Sequence, residues 1–203
     1  MIYQDGWNRV SPILTHPAPK AKRKQLETDG SKDRIVTMEY VFTIQPFPNE
    51  LIVVNITGAE MKTALEQGVQ NWIDLLNSDG SHPYASGMRW DLDLTKPFGN
   101  RFSNLKVKNH SNGKWFDWNP NRSYAVVITD YLRDGAENYS VFKDICESAV
   151  RTRCLPLGGI YAADSLANFI NSIPTAKLTR QACADYSHQS VIAPDRTELE
   201  KCQ

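Results

Sequence analysis

The four histidines are the side chains of this sequence most suited to binding a catalytic metal, but their spacing predicts no metal site. They are His16, His82, His110 and His188. None lies in an Asp-x-His, His-x-His or Gly-Asn-His-Asp/Glu segment, from which a site for two divalent metals is built. The chain also lacks a P-loop, a Gly-x-Gly-x-x-Gly segment and a Ser/His/Asp pattern. We therefore predict no catalytic residue in this chain, and we expect each histidine to be a surface or loop residue.

The cysteines allow two interpretations. All four lie in the last third of the chain and none forms a Cys-x-x-Cys pair: Cys146, Cys154, Cys183 and Cys202. One or two disulfides could tie down the C-terminal tail, or the thiols could all be free. Both interpretations remain open at this point.

One aromatic residue, Phe47, is placed to contact a flat ligand. It lies between Pro46 and Pro48, and these prolines fix φ at both neighbours, so the turn would present the ring with little conformational entropy left to lose. A ring held in this way can stack on any purine or pyrimidine, and each such contact contributes about 1–3 kcal/mol. The alternative is that Phe47 fills part of the hydrophobic core.

The elements on either side of this turn follow from hydrophobic periodicity. Residues 37–44 predict a short helix that ends before the proline, with Thr37 as its N-cap, although a strand is the alternative. The segment Glu50–Ile56 reads ELIVVNI, which is typical of a central or parallel strand covered on both faces. Thr57 and Glu60 then have the spacing of a capping box.

The capping box predicts a long amphipathic helix that begins at Gly58. Apolar residues recur every three or four positions and should face the core: Met61, Ala64, Leu65, Gly68, Val69, Trp72 and Leu76. Polar residues lie on the other side, which we expect to face water: Lys62, Glu66, Gln70 and Asp74. One face of the helix should therefore pack and the other be solvated.

The rest of the chain interleaves strands and helices. Alternating apolar residues predict strands at residues 85–94, 101–108 and 123–129, with helices at 139–150 and 166–173, the last capped by Asp164 or Ser165. Residues 109–121 and 130–138 are predicted loops. The fold class is α/β (α+β), with a mixed β-sheet and packed helices. We predict an extension over residues 1–34, a domain over 35–175 and a tail over 176–203.

Composition excludes some classes of protein. The 203 residues have a formal net charge of zero, so no global field attracts nucleic acid or anionic membranes. The basic run Lys20–Lys24 is interpreted as part of a solvated extension, and nucleic acid is not an expected partner. No apolar segment approaches the roughly 20 residues needed to span a bilayer, and no signal peptide is visible.

Three blocks of sequence, in order, resemble one known family. Residues 46–51, 57–60 and 64–68 read PFPNEL, TGAE and ALEQG, and resemble the PFGN-strand-LTG-helix-ALE-x-G block of the C-terminal domain of 5'-nucleotidases and UDP-sugar hydrolases. Residues 82–90, HPYASGMRW, resemble the segment YPYASGLRF. Residues 124–139, YAVVITDYLRDGAENY, resemble YxVxxNxFxxxGGDGY. Together the blocks cover about residues 36–145 and are specific in combination.

The resemblance implies a substrate-binding domain with the 5'-nucleotidase C-terminal fold. In that family two aromatic rings sandwich the nucleoside base, and the matching residues here are Phe47 and Tyr131. Asn49 of the same turn and Glu137, which replaces the aspartate that accepts sugar hydroxyls, complete the implied site. The resemblance also implies a periplasmic or extracellular location, because members of that family are typically found there.

The sequence also departs from the family. Where the family has Gly-Gly-Asp-Gly, this chain has Gly135-Ala136-Glu137-Asn138, and Ala136 and Asn138 are expected to resist the positive φ that glycine accepts. An N-x-G-x-x-R segment that holds the base and phosphate in the family is missing near residues 20–25. We therefore expect reduced ligand affinity.

Two functions are consistent with these observations. The chain is either the nucleotide-recognition domain of a 5'-nucleotidase-type phosphoester hydrolase or a degenerate stand-alone binding module without hydrolytic activity. In the first case a metallophosphatase domain absent from this chain supplies two divalent metals, and the chain itself holds no cofactor. Whether the chain belongs to an enzyme therefore stays open at this stage.

Overall fold

The computed structural model describes residues 13–15, 37–75, 80–148, 153–173 and 182–201. Their strands are β1 (Ile13–Thr15), β2 (Glu50–Thr57), β3 (Tyr84–Ser86), β4 (Met88–Asp93), β5 (Phe102–Lys108), β6 (Trp115–Asp117), β7 (Ser123–Thr129), β8 (Cys154–Tyr161), β9 (His188–Ile192) and β10 (Glu198–Lys201). The helices are α1 (Met38–Ile44), α2 (Gly58–Asp74), α3 (Asp130–Arg133), α4 (Ser140–Glu147) and α5 (Ala162–Ser172), with 3-10 turns at Ala136–Asn138 and Cys183–Asp185. The predicted α/β (α+β) class with packed helices is confirmed, although the strands form two sheets where one mixed sheet was predicted.

The strands form two mixed sheets that share one hydrophobic core. The first sheet has the order β3-β1-β7-β2-β8 and the second the order β10-β9-β4-β5-β6. Within the first sheet β1 is parallel to β7, and within the second β4 is parallel to β9. The core contains side chains of both sheets and of the helices α2 and α4, including Ile56, Met61, Trp90, Val126 and Phe142.

Strand β2 is an interior strand, as its sequence predicts. It pairs antiparallel with β7 on one side and with β8 on the other. Ile52, Val54 and Ile56 are buried, whereas the alternate residues are only half-buried. The second face is therefore less covered than the unbroken apolar sequence indicated.

The capping box predicted for α2 is present. The Thr57 side chain accepts a hydrogen bond from the Glu60 amide at 3.2 Å, and the Glu60 carboxylate accepts one from the Thr57 amide at 2.8 Å. Farther along the helix, a Cβ at Gly68 would lie 2.2 Å from the Tyr139 hydroxyl oxygen. Only glycine lets the ring of Tyr139 approach the helix this closely.

The prediction that Glu66 faces water is wrong. Glu66 is 1% exposed, and one of its carboxylate oxygens accepts a hydrogen bond from the backbone N–H of Arg101 at 2.8 Å. The other carboxylate oxygen lies 3.6 Å from the guanidinium of Arg101, which also donates to the Gln70 side chain at 2.7 Å. Glu66 is buried because the start of β5 provides these partners, which periodicity along one helix does not reveal.

The strand predicted over residues 85–94 is two strands in different sheets. Gly87 has a φ of 79°, which turns the chain between β3 and β4. Strand β3 joins the first sheet through β1, and β4 lies at the centre of the second. The apolar residues Met88, Trp90 and Leu92 are buried, as their alternation predicts.

Several elements in the second half of the chain were not predicted. Strand β6 lies inside the expected loop, and β8, β9 and β10 follow no clear alternation. The sequence of β8, CLPLGGIY, contains a proline and two glycines, and most of its residues are exposed. Helix α5 begins at Ala162 with Tyr161 as its N-cap, so the expected caps Asp164 and Ser165 are wrong. Strands β9 and β10 lie in the part of the chain predicted to be a tail.

The described cysteines form disulfides and are not free thiols. Cys146 at the end of α4 is bonded to Cys154 at the start of β8, and Cys183 is also disulfide-bonded.

His188 is buried, contrary to its expected surface position, and its Nε2 lies 2.9 Å from Nε2 of His82. Burial, with a smaller contribution from His82, lowers the pKa of His188 to about 3. The neutral ring is therefore an interior packing element.

Candidate functional site

The Pro46–Asn49 turn and helix α3 meet at one edge of the first sheet. Strands β2 and β7 are antiparallel, with Leu51 opposite Thr129, so the beginning of β2 and the end of β7 lie together. The turn directly precedes β2, α3 directly follows β7, and α3 also contacts β2. The sheet thus places the turn that carries Phe47 and the helix that carries Tyr131 at the same edge.

The two aromatic rings implied by the resemblance are accessible. Phe47 is 65% exposed and Tyr131 is 42% exposed, whereas the large apolar side chains of the core are buried. The alternative interpretation of Phe47 as a core residue is therefore wrong. Tyr131 is the second residue of α3, whose N-cap Thr129 accepts a hydrogen bond from the Leu132 amide at 3.3 Å.

Tyr131 and Glu137 are brought together. The Tyr131 hydroxyl donates to one carboxylate oxygen of Glu137 at 3.2 Å, and the Asn71 side chain donates to the other at 3.3 Å. Desolvation raises the pKa of Tyr131, and the adjacent Glu137 carboxylate raises it further. Sequence analysis missed Asn71, which lies on α2 and reaches the loop only in the folded chain.

The loop around Glu137 has a left-handed conformation although Ala136 and Asn138 replace two of the family's three glycines. Glu137 has a φ of 55° and Asn138 a φ of 67°. The expectation that Asn138 would resist positive φ is thus wrong. Such conformations cost of the order of 1–2 kcal/mol for a residue with a Cβ, and Asn is among the residues that bear them best.

Helix α2 contacts the residues that follow this loop, Tyr139 and Val141. The buried hydroxyl of Tyr139 donates to the Ser81 carbonyl at 2.7 Å, and burial raises the pKa of that phenol. The Gln67 side chain accepts the Val141 amide at 3.1 Å. Gln67 and Gly68 of the ALEQG segment thus position the start of α4 and, through it, the loop that carries Glu137.

A cleft of about 290 Å³ opens on the side of the turn that faces β8 and α5. We call it the aromatic cleft; its walls are Phe42, Gln45, Pro46, Phe47, Pro48, Tyr161, Ala163 and Asp164. The Asn49 carbonyl accepts the Ala162 amide at 2.9 Å and holds the turn against α5. Of the four implied site residues, only Phe47 lines this cleft. Sequence analysis missed Tyr161 and Asp164 because β8 and the first turn of α5 carried no periodic signal.

The described residues provide neither a cluster of metal ligands nor a membrane-spanning helix. Within them, no group of three or more His, Cys, Asp or Glu side chains is arranged to hold a metal ion. No helix among the same residues is long and apolar enough to cross a membrane. The segment near residues 20–25, where the N-x-G-x-x-R motif was expected, and the basic run Lys20–Lys24 lie outside the described residues.

Comparison with known proteins identifies the family. The family model described as "5'-nucleotidase, C-terminal domain" matches residues 20–144. The trifunctional nucleotide phosphoesterase protein YfkN of Bacillus subtilis is 31% identical over 109 residues, which cover 54% of this chain and 7% of YfkN. The 5'-nucleotidase precursor of Thermus thermophilus superposes with a TM-score of 0.58 at 26% identity, over 68% of this chain and 25% of that one.

A second solved structure extends the similarity in fold. The NAD nucleotidase NadN of Haemophilus influenzae has a TM-score of 0.65 at 23% identity and covers 82% of this chain. The chain corresponds to 28% of NadN and spans well under a third of each of these relatives. Because the family model matches more than half of the sequence, the chain belongs to the 5'-nucleotidase C-terminal domain family.

Proposed function

We propose that this chain is the nucleoside- or nucleotide-recognition domain of a 5'-nucleotidase-type phosphoester hydrolase. The observation that carries the proposal is the exposure of Phe47 and Tyr131, two aromatic rings carried by a turn and by helix α3 at one edge of the same sheet. A base inserted between them would stack on both faces. The similar proteins are nucleotidases and a nucleotide phosphoesterase, which supports this class of ligand.

Glu137 is the proposed partner of the sugar. Its carboxylate is held by Tyr131 and Asn71, and an ionised carboxylate has lone pairs for further donors such as ribose hydroxyls. Asn49, in the same turn as Phe47, supplies an amide that can pair with the edge of the base.

The hydrolytic step is proposed to belong to a metallophosphatase domain with two divalent metals, outside these 203 residues. The chain corresponds to about a quarter of the solved nucleotidases it resembles, which is consistent with one domain of a larger enzyme. We also propose a periplasmic or extracellular location. The Cys146–Cys154 disulfide supports it, because disulfides persist mainly in oxidising compartments.

Calorimetric titration with adenosine and AMP tests the recognition role. We expect weak binding of both ligands, and the loss of either ring in Phe47→Ala or Tyr131→Ala should weaken it by about 5- to 150-fold. Phe116→Ala is the matched control, since Phe116 is also an exposed phenylalanine but lies on β6 of the other sheet. Equal affinities of wild type and both ring variants would refute the two-ring site.

A second titration isolates the role of Glu137. Glu137→Gln should weaken adenosine binding and leave adenine binding unchanged, because only adenosine carries the ribose hydroxyls. An equal loss for both ligands would show that Glu137 acts through the position of Tyr131 rather than on the sugar.

A further inference from the structure

The aromatic cleft has a composition that the proposed nucleoside site does not explain. Three exposed rings line it: Phe42 from α1, Phe47 from the turn and Tyr161 from the end of β8. Tyr131 and Glu137, on which sugar and base recognition would depend, are not part of its wall. The cleft is thus a separate surface that shares one ring with the proposed nucleoside site.

Among the described residues of the cleft wall, the only charge is negative. Asp164 lies in the first turn of α5, and its side chain forms no hydrogen bond or ion pair with any described residue. The part of the wall that the structure describes contains no Lys, Arg or His. Its other polar side-chain groups are the Gln45 amide and the Tyr161 hydroxyl. The faces of aromatic rings carry partial negative charge, so rings and carboxylate favour the same sign of ligand.

The dimensions restrict the ligand further. The volume of about 290 Å³ lies at the lower end of the range of roughly 300–1,000 Å³ found for small-molecule sites. It fits a small head group better than a whole nucleotide. Rings from three different elements surround the volume, an arrangement that is typical of sites for alkylated or protonated ammonium groups.

We propose that the aromatic cleft binds a small organic cation, with Phe42, Phe47 and Tyr161 contacting the ammonium group and Asp164 supplying the opposite charge. This inference goes beyond the proposed nucleoside recognition and does not depend on it. The cation would enter from solvent, since the rings and the carboxylate are exposed.

Choline is a suitable probe, and its uncharged isostere, with carbon in place of the ammonium nitrogen, is the matched ligand. Titrations followed by NMR should show saturable binding of choline, with the isostere at least about tenfold weaker because it lacks the charge. Asp164→Asn and Tyr161→Ala should each weaken choline binding by about tenfold. Tyr161→Phe should retain binding, because it keeps the ring.

Asp144→Asn is the control for charge, since Asp144 is an exposed carboxylate on α4, away from the cleft. It should leave choline binding unchanged. Adenosine binding should be unaffected by Asp164→Asn and Tyr161→Ala, while Tyr131→Ala should affect adenosine and not choline. These responses separate a failure of the cation site from a failure of the nucleoside site.

Three results would overturn the cation site. They are the absence of saturable binding at up to about 50 mM choline, equal binding of choline and its isostere, and unchanged affinity in Asp164→Asn. A thermal melt of each variant establishes that the domain is folded during the titration.

Discussion

Replacement of Glu66 by alanine should destabilise the domain more than any substitution at an exposed position of helix α2. Glu66 is 1% exposed, and its carboxylate is the partner of the Arg101 side chain, which is itself nearly buried. Removing one member of a buried ion pair typically costs about 3–5 kcal/mol, because the other charge stays buried without compensation. The Arg101 backbone N–H also loses its acceptor.

The size of the effect can be compared with the stability of a whole domain. Most domains unfold with about 5–15 kcal/mol, so a loss of about 4 kcal/mol is a large fraction. With a slope of about 2 kcal/mol per M in urea, the unfolding midpoint should fall by about 2 M. Tryptophan fluorescence can follow the transition because the chain has five tryptophans, and Trp90 is buried.

Two further variants make the test specific. Lys62→Ala, on the same helix but without a described partner, should change the midpoint little. Arg101→Met should cost less than Glu66→Ala, because the Glu66 carboxylate then keeps the backbone N–H of residue 101. If Glu66→Ala lowers stability no more than Lys62→Ala does, the assignment of a buried, structural carboxylate is refuted.

Three further predictions concern other parts of the domain. The Arg153 guanidinium lowers the pKa of Glu60 to about 2. The pair should therefore stabilise the fold above the unfolded pKa of about 4.5, and this contribution should be lost as the pH falls towards 2. The plot of unfolding free energy against pH should fall less steeply at acid pH in Arg153→Met than in wild type, by about 1 kcal/mol because the pair is partly exposed. Asn138→Gly should raise the free energy of unfolding by up to about 1 kcal/mol, because Asn138 has a φ of 67° and glycine adopts that conformation without strain. An unchanged or lower melting temperature would contradict this reasoning. Replacing Cys146 and Cys154 by serine should lower the free energy of unfolding by about 2–3 kcal/mol, because their disulfide closes a loop with a sequence separation of 8. Equal urea midpoints of the variant and wild type would argue against this contribution of the disulfide.

The half of the fold around the Pro46–Asn49 turn could be predicted well from the sequence. The bounds of β7 and nearly those of β2 follow from unbroken apolar runs, and the start of α2 follows from its capping box. These signals are local, since hydrogen bonds and side-chain periodicity within a few residues produce them. The exposure of Phe47 is likewise consistent with a turn stiffened by two prolines.

Strand β8 and the buried Glu66 could not be predicted, and both failures have the same cause. Strand β8 forms because β2 offers an unpaired edge, so its sequence needs no apolar alternation. Glu66 is buried because residues 35 positions later donate to it. Partners that are distant along the chain leave no periodic trace in the segment itself.

The sequence by itself determined the family, the class of fold and three of the elements around the candidate site, because motif spacing, capping and periodicity act over short distances. Only the tertiary structure decided that Tyr131, Asn71 and Glu137 form one hydrogen-bonded group. It alone also joined Phe42, Phe47 and Tyr161 around one cleft. Asn71 and Tyr161 lie far along the chain from the other members of their groups, so no local signal connects them. The pairing of β2 with β8 brings Tyr161 to the turn that carries Phe47.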